Sequence, residues 1–142
     1  MFIIVFIACL VLMSCIDILM KEIPILLVVL LAALSFLRLY KRVRNDEISL
    51  ALSLFVIVPG IIFILISYRY PQQIGMGDGI VMALVLMGKD IYFCMITLLV
   101  SVISLLAASI VVMIIKRRDC KDIEIPFIPF ITLGVILSEF LV

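Results

Sequence analysis

Long apolar runs alternate with short polar interruptions along the whole chain. Six apolar segments stand out, at residues 2–18, 24–40, 48–67, 79–88, 91–115 and 125–142. All but the fourth approach the length of roughly 20 residues that a helix needs to cross a bilayer. No short strands of alternating polarity, the mark of a membrane barrel, are visible. The pattern predicts an all-α fold, a polytopic membrane protein with about six transmembrane helices. The fourth segment, "GIVMALVLMG", is too short to span alone, because ten helical residues rise only about 15 Å. It either runs on past Lys89 and Asp90 or stops part-way. Pro59-Gly60 falls within the third segment and predicts a kink there.

The polar interruptions are "DILMKEIP" (17–24), "KRVRNDE" (41–47), "SYRYPQQIGMGD" (67–78) and "KRRDCKDIE" (116–124). With alternate loops on one side, Lys21, Arg69, Lys116, Arg117, Arg118 and Lys121 share a side. Arg38, Lys41, Arg42, Arg44 and Lys89 share the other. The positive-inside rule leans towards the first set being cytoplasmic. Relative placement is firmer. Asp17 ends the first segment, Asp78 opens the fourth, and "IPFIPF" (125–130) opens the sixth. Counting crossings sets all three at the same side of the membrane.

Composition sharpens this picture. Of 142 residues, 68% are hydrophobic and 15% charged, more apolar surface than a small water-soluble domain can bury. Nothing is left over for a soluble domain or a linker, so the expectation is one membrane-embedded domain over 1–142, with the lipid bilayer as its first partner. The net charge of +1 gives no electrostatic footprint for nucleic acid. Cys9, Cys15, Cys94 and Cys120 form no CxxC pair and read as small apolar residues rather than metal ligands. Histidine is absent, which removes Ser-His and Cys-His nucleophile pairs and HExxH zinc sites. Neither a metal nor another cofactor is expected. Hydrolytic chemistry, if present, must run on carboxylates, lysines or hydroxyls.

Two carboxylates meet that requirement. Asp78 stands among Gly75, Gly77 and Gly79 at the start of a helix, where it can simply cap the free N–H groups. Asp17 stands near the end of a strongly apolar helix, where an ionised group is costly unless it faces a cavity or a partner; Lys21, one turn on, is a natural partner. Taken together, two converging aspartates can share a proton. One then draws a proton from water while the other donates to a scissile carbonyl. Asp46, Glu47, Asp119, Asp122 and Glu124 read as solvated loop acids, Asp90 as pairing or hydrating with its neighbour Lys89, and Glu139 as a terminal interfacial acid.

Three motifs, in order and across essentially the whole chain, make the sequence resemble the type IV prepilin peptidase family, membrane aspartic proteases of the GxGD kind. They are "DILMKEIP", in which Asp17 precedes Pro24 by seven residues, "GMGD" at 75–78, and "IPFIPFITLG" at 125–134. The resemblance implies that Asp17 and Asp78 are the catalytic pair, with Gly75, Gly77, Lys21, Pro24, Pro126 and Pro129 as motif residues in support. It implies an active site facing the cytoplasm in the cell membrane, and cleavage of the short basic leader of prepilin-like or related secretion-system precursors. A peptidase-only form, without the methyltransferase segment of larger relatives, is expected. The sequence departs from the family at Ile80, where GxGDxK has lysine; at Ile25, often Asn or Asp; and at Ile128, commonly glycine. These departures leave an alternative: an inactive homologue acting as a membrane subunit or as a small ion-binding transporter.

Overall fold

The computed structural model describes residues 2–20, 23–47, 49–69, 75–115 and 126–141. Their regular structure is six helices: α1 (Phe2–Met20), α2 (Ile25–Arg44), α3 (Leu50–Arg69), α4 (Met76–Leu86), α5 (Ile91–Ile115) and α6 (Ile128–Leu141). The all-α class read from the apolar runs is therefore observed. Two helical stretches, Ile3–Met20 and Ile91–Ile115, are long and apolar enough to cross a membrane. Little of the second is buried inside the protein: Leu99, Ile103, Leu106 and Ile110 all point outward. A core helix of a soluble protein would hide such residues.

The boundaries differ from the sequence reading in instructive places. α2 runs through "KRVR" to Arg44, because Lys41, Arg42 and Arg44 in its last turn oppose the negative end of the helix dipole. α3 continues through Pro59 without interruption. α4 ends at Leu86, before Lys89 and Asp90, so the question of its length is settled on the short side. It is closed by Gly88, whose φ of +72° is a left-handed conformation that favours glycine.

The core sits where α1, α4 and α6 meet. Phe6, Leu10 and Met13 from α1, Val81, Met82, Val85 and Leu86 from α4, and Ile128, Ile131 and Val135 from α6 form one buried cluster. α2 packs on α1 and α4, α3 on α4, and α5 on α6. The two most extensive seams depend on small residues. A Cβ on Gly60 would stand 2.5 Å from the Ala83 Cα, and one on Gly79 would stand 2.8 Å from the Ile64 backbone nitrogen. Numbers that run in opposite senses make α3 and α4 antiparallel, and Gly79-x-x-x-Ala83 lets their backbones touch. The α5–α6 seam repeats the device. Gly134 lies against Ser101 and the Thr97 carbonyl, while Thr97 Oγ1 bonds Ser138 Oγ at 2.9 Å.

Candidate functional site

Asp17 lies on the buried stripe of α1 that begins with Phe6, Leu10 and Met13, spaced three or four residues apart. It is 6% exposed. Its Oδ2 has no hydrogen-bond partner, while the carboxylate takes a backbone hydrogen bond from Ile128. The donor belongs to the first turn of α6, whose free N–H groups carry partial positive charge.

Asp78 is half-buried in the first turn of α4. Gly75 is the N-cap, with no side-chain cap bond, so Asp78 sits at the third helical position and not at the cap suggested by the sequence. Its backbone N–H donates to the Gly75 carbonyl at 3.2 Å, and its carboxylate accepts a hydrogen bond from the Gly75 backbone. This is the reciprocal half of a capping box, an acid reaching back to the N-cap amide. The two carboxylates lie near enough for the charge of Asp17 to act on Asp78. The helix ends that crossing parity predicts to share a side do come together, Asp17 with Ile128 and Asp17 with Asp78.

The motif residues around them hold backbone rather than chemistry. Gly75 has φ −69° and ψ 134°, open to any residue, and a Cβ there would stand at an ordinary 3.4 Å from Asp78 Oδ2. Gly77 lies against the Ile23 side chain. Pro24 is the N-cap of α2, its carbonyl accepting the N–H groups of Leu27 and Val28 at 3.0 and 3.2 Å. Pro126 and Pro129 flank the start of α6. Lys21 lies outside the described residues. Of the three departures, Ile25 and Ile80 are exposed and Ile128 is fully buried.

Sequence reasoning missed three contributors. The Ile128 amide is a backbone donor with no side-chain signature. Thr132 donates to the Ile128 carbonyl at 2.9 Å and reaches the Leu10 carbonyl of α1 at 3.4 Å. Phe127 stacks on Phe63 of α3, with ring centroids 5.4 Å apart. Of the cysteines described, Cys9 and Cys94 are buried, as small apolar residues should be, but Cys15 is exposed. Among the described residues, no three His, Cys, Asp or Glu side chains gather as metal ligands.

The opposite end of the bundle holds a different set of charges. Arg42 pairs with Asp90 at 2.9 and 3.1 Å and with Glu47 at 3.1 Å, and it donates to the Gly88 carbonyl at 3.1 Å. Lys89 pairs with Glu139 and lies 3.8 Å over the Phe93 ring. Arg38 lies 4.0 Å over Phe6. Glu47, expected as a solvated loop acid, is instead bonded to Arg42, and two further expectations are corrected here. Asp90 pairs with Arg42 and not with Lys89, and Glu139, expected as an interfacial acid, is the partner of Lys89. Both pairs join residues about fifty positions apart, out of reach of any local pattern.

Comparison with family models, with curated proteins and with solved structures finds no match to this chain.

Proposed function

We propose that the chain is a multi-pass membrane aspartic endopeptidase that removes the short leader of prepilin-like precursors at the cytoplasmic face of the cell membrane. The observation that carries this reading is that Asp17 and Asp78, on two different helices, lie near enough for one charge to act on the other, with no ion pair to either among the described residues. Acids placed in apolar surroundings without a counter-charge are functional candidates by default. Two of them in mutual range cannot both ionise cheaply and so share a proton. Asp17 takes a proton from water as the water oxygen adds to the scissile carbonyl carbon and Asp78 protonates the carbonyl oxygen. Collapse of that tetrahedral species then breaks the C–N bond as Asp17 passes its proton to the leaving amine and a hydroxyl returns one to Asp78. No histidine is needed.

In this reading all six helices are embedded in the bilayer. α4 and α6, at 11 and 14 residues, rise only about 16 and 21 Å, against a hydrocarbon core about 30 Å thick. The carboxylate end would then lie below a locally thin or wet membrane face, where a substrate helix and water can both arrive.

The test is co-expression with a prepilin-like substrate, reading leader removal by mass. Wild type should cleave, and Asp17→Asn and Asp78→Asn should not; equal processing by either variant sinks the proposal. Ile80 favours a second reading, a non-catalytic membrane subunit or small ion-binding transporter. It predicts no cleavage by the wild type, with loss of assembly or flux when the aspartates are neutralised.

A further inference from the structure

We propose that Phe63, stacked on Phe127, is a side gate to the carboxylate pair, which an apolar stretch of a membrane-embedded substrate opens by displacing the Phe63 ring. This rests on the peptidase reading of Asp17 and Asp78.

A substrate held in the bilayer must reach two acids set within the bundle from the side, and packing closes most sides. α1, α2, α4 and α6 form a ring, each packed on the next, with α3 outside on α4 and α5 outside on α6. The α3–α4 and α5–α6 seams bring backbones together at Gly60, Gly79 and Gly134, leaving no room for a chain between them. The other seams are bonded across. Cys9 reaches the Leu27 carbonyl at 3.8 Å, Ser35 the Leu84 carbonyl at 2.7 Å, and Thr132 the Leu10 carbonyl at 3.4 Å. The α4–α6 seam is the least extensive of the ring, and α3 reaches across its near end through Phe63.

The Phe63 and Phe127 rings stack there, with 5.4 Å between centroids and 19° between planes. Their level matches that of the acids. Gly79, next to Asp78, lies against Ile64, next to Phe63. Phe127 immediately precedes α6, which Thr132 fixes to the helix that carries Asp17. The two rings are not equivalent. Phe127 is 4% exposed and is followed by the fully buried Ile128. Its carbonyl accepts the N–H groups of Phe130 and Ile131 at 3.0 and 3.2 Å, so it is the fixed half. Phe63 is half-buried, and Ile62 and Ile66 beside it are exposed. Gly60 and Ile64 hold the α3 backbone against α4 on either side of Phe63. Opening is therefore a rotation of one side chain and not a parting of helices. A stacked ring pair contributes only modestly beyond its burial, so an apolar substrate group that takes the ring's place on Phe127 replaces most of what is lost.

The readout that needs no activity is alkylation of Asp78→Cys, in a chain whose Cys9, Cys15, Cys94 and Cys120 are replaced by alanine. One reagent is N-pyrenylmaleimide dissolved in the bilayer, the other an impermeant maleimide added in water. Phe63→Ala should speed the bilayer-phase reaction about tenfold, the population shift that loss of one aromatic pair allows, and leave the water-phase rate in place. Phe63→Leu, which fills space without stacking, should fall between and serves if Phe63→Ala fails to fold. Cleavage is read separately with Asp78 intact. Phe63→Cys and Phe127→Cys, joined by a short bis-methanethiosulfonate, should process the leader at least about tenfold more slowly and recover when dithiothreitol removes the bridge. Equal bilayer-phase rates with and without the Phe63 ring overturn the proposal. So does a rise in both phases together, which reports a loosened bundle, and so does a leader cleavage that the bridge leaves unchanged. Gated labelling in a protein that cleaves nothing keeps the gate and removes the peptidase reading instead.

Discussion

The two ends of this bundle treat their acids in opposite ways. At the far end, Asp90, Glu47 and Glu139 each meet a cation, and the pairs join α2, α6 and the turn after α4. At the near end, Asp17 and Asp78 meet backbone amides and each other. The far end resembles a clasp, in which charge is neutralised to hold helices together. Among the described residues no cation pairs with the near-end carboxylates, an arrangement that does nothing for stability and to which the proposed peptidase reading gives a use. Polar groups within one fold can thus be sorted by their partners, before any appeal to motif.

That contrast can be broken from either side. The largest expected effect is on activity. Asp17→Asn or Asp78→Asn should lower leader cleavage at least about a hundredfold, the scale of lost general acid–base catalysis. Because each change removes one of two interacting like charges, thermal unfolding in detergent should hold steady or move upward. A variant that loses activity only because it unfolds would erase the contrast.

A purely structural change should behave in the reverse way. Gly79→Leu would push a side chain into the Ile64 backbone and destabilise by about 3 kcal/mol, visible as a lower melting temperature. If the melting temperature is unchanged, α3 and α4 are not packed backbone to backbone.

At the far end, Glu139→Gln leaves Lys89 without its partner. The side chains are 12% and 21% exposed, between the buried and surface regimes, so a loss of about 2 kcal/mol is expected. Residual cleavage should scale only with the folded fraction. Asp90→Asn should cost less, under about 1 kcal/mol, since Asp90 is 51% exposed and solvent screens the pair. Reversal of this order in urea titrations of the two variants would mean that the Arg42 pair, not the Lys89 pair, fastens the clasp.

Much of the architecture was legible because hydropathy acts over whole segments. Six apolar runs became six helices, and crossing parity alone brought the ends of α1, α4 and α6 to one side. Orientation within a helix was not legible. α1 is apolar nearly all round, so no stripe in the sequence marks Asp17 as facing inward with Phe6, Leu10 and Met13. The ion pairs were misread because they join distant residues, and Lys89-Asp90 as neighbours suggested a local pair that the turn geometry does not make. Asp78 reads as a cap because it stands where an apolar helix opens, yet the helix begins two residues earlier. The Ile128 amide was invisible for the simplest reason: every residue but proline has one.

Everything functional in this account depends on Asp17 and Asp78 sharing one site. The most direct measurement is oxidative cross-linking of Asp17→Cys with Asp78→Cys in a chain whose Cys9, Cys15, Cys94 and Cys120 are replaced by alanine, carried out in intact membranes. The account predicts an intramolecular disulfide under mild oxidation and labelling of both single-cysteine variants by an impermeant thiol reagent from the same side. No cross-link, with labelling from opposite sides, would contradict it.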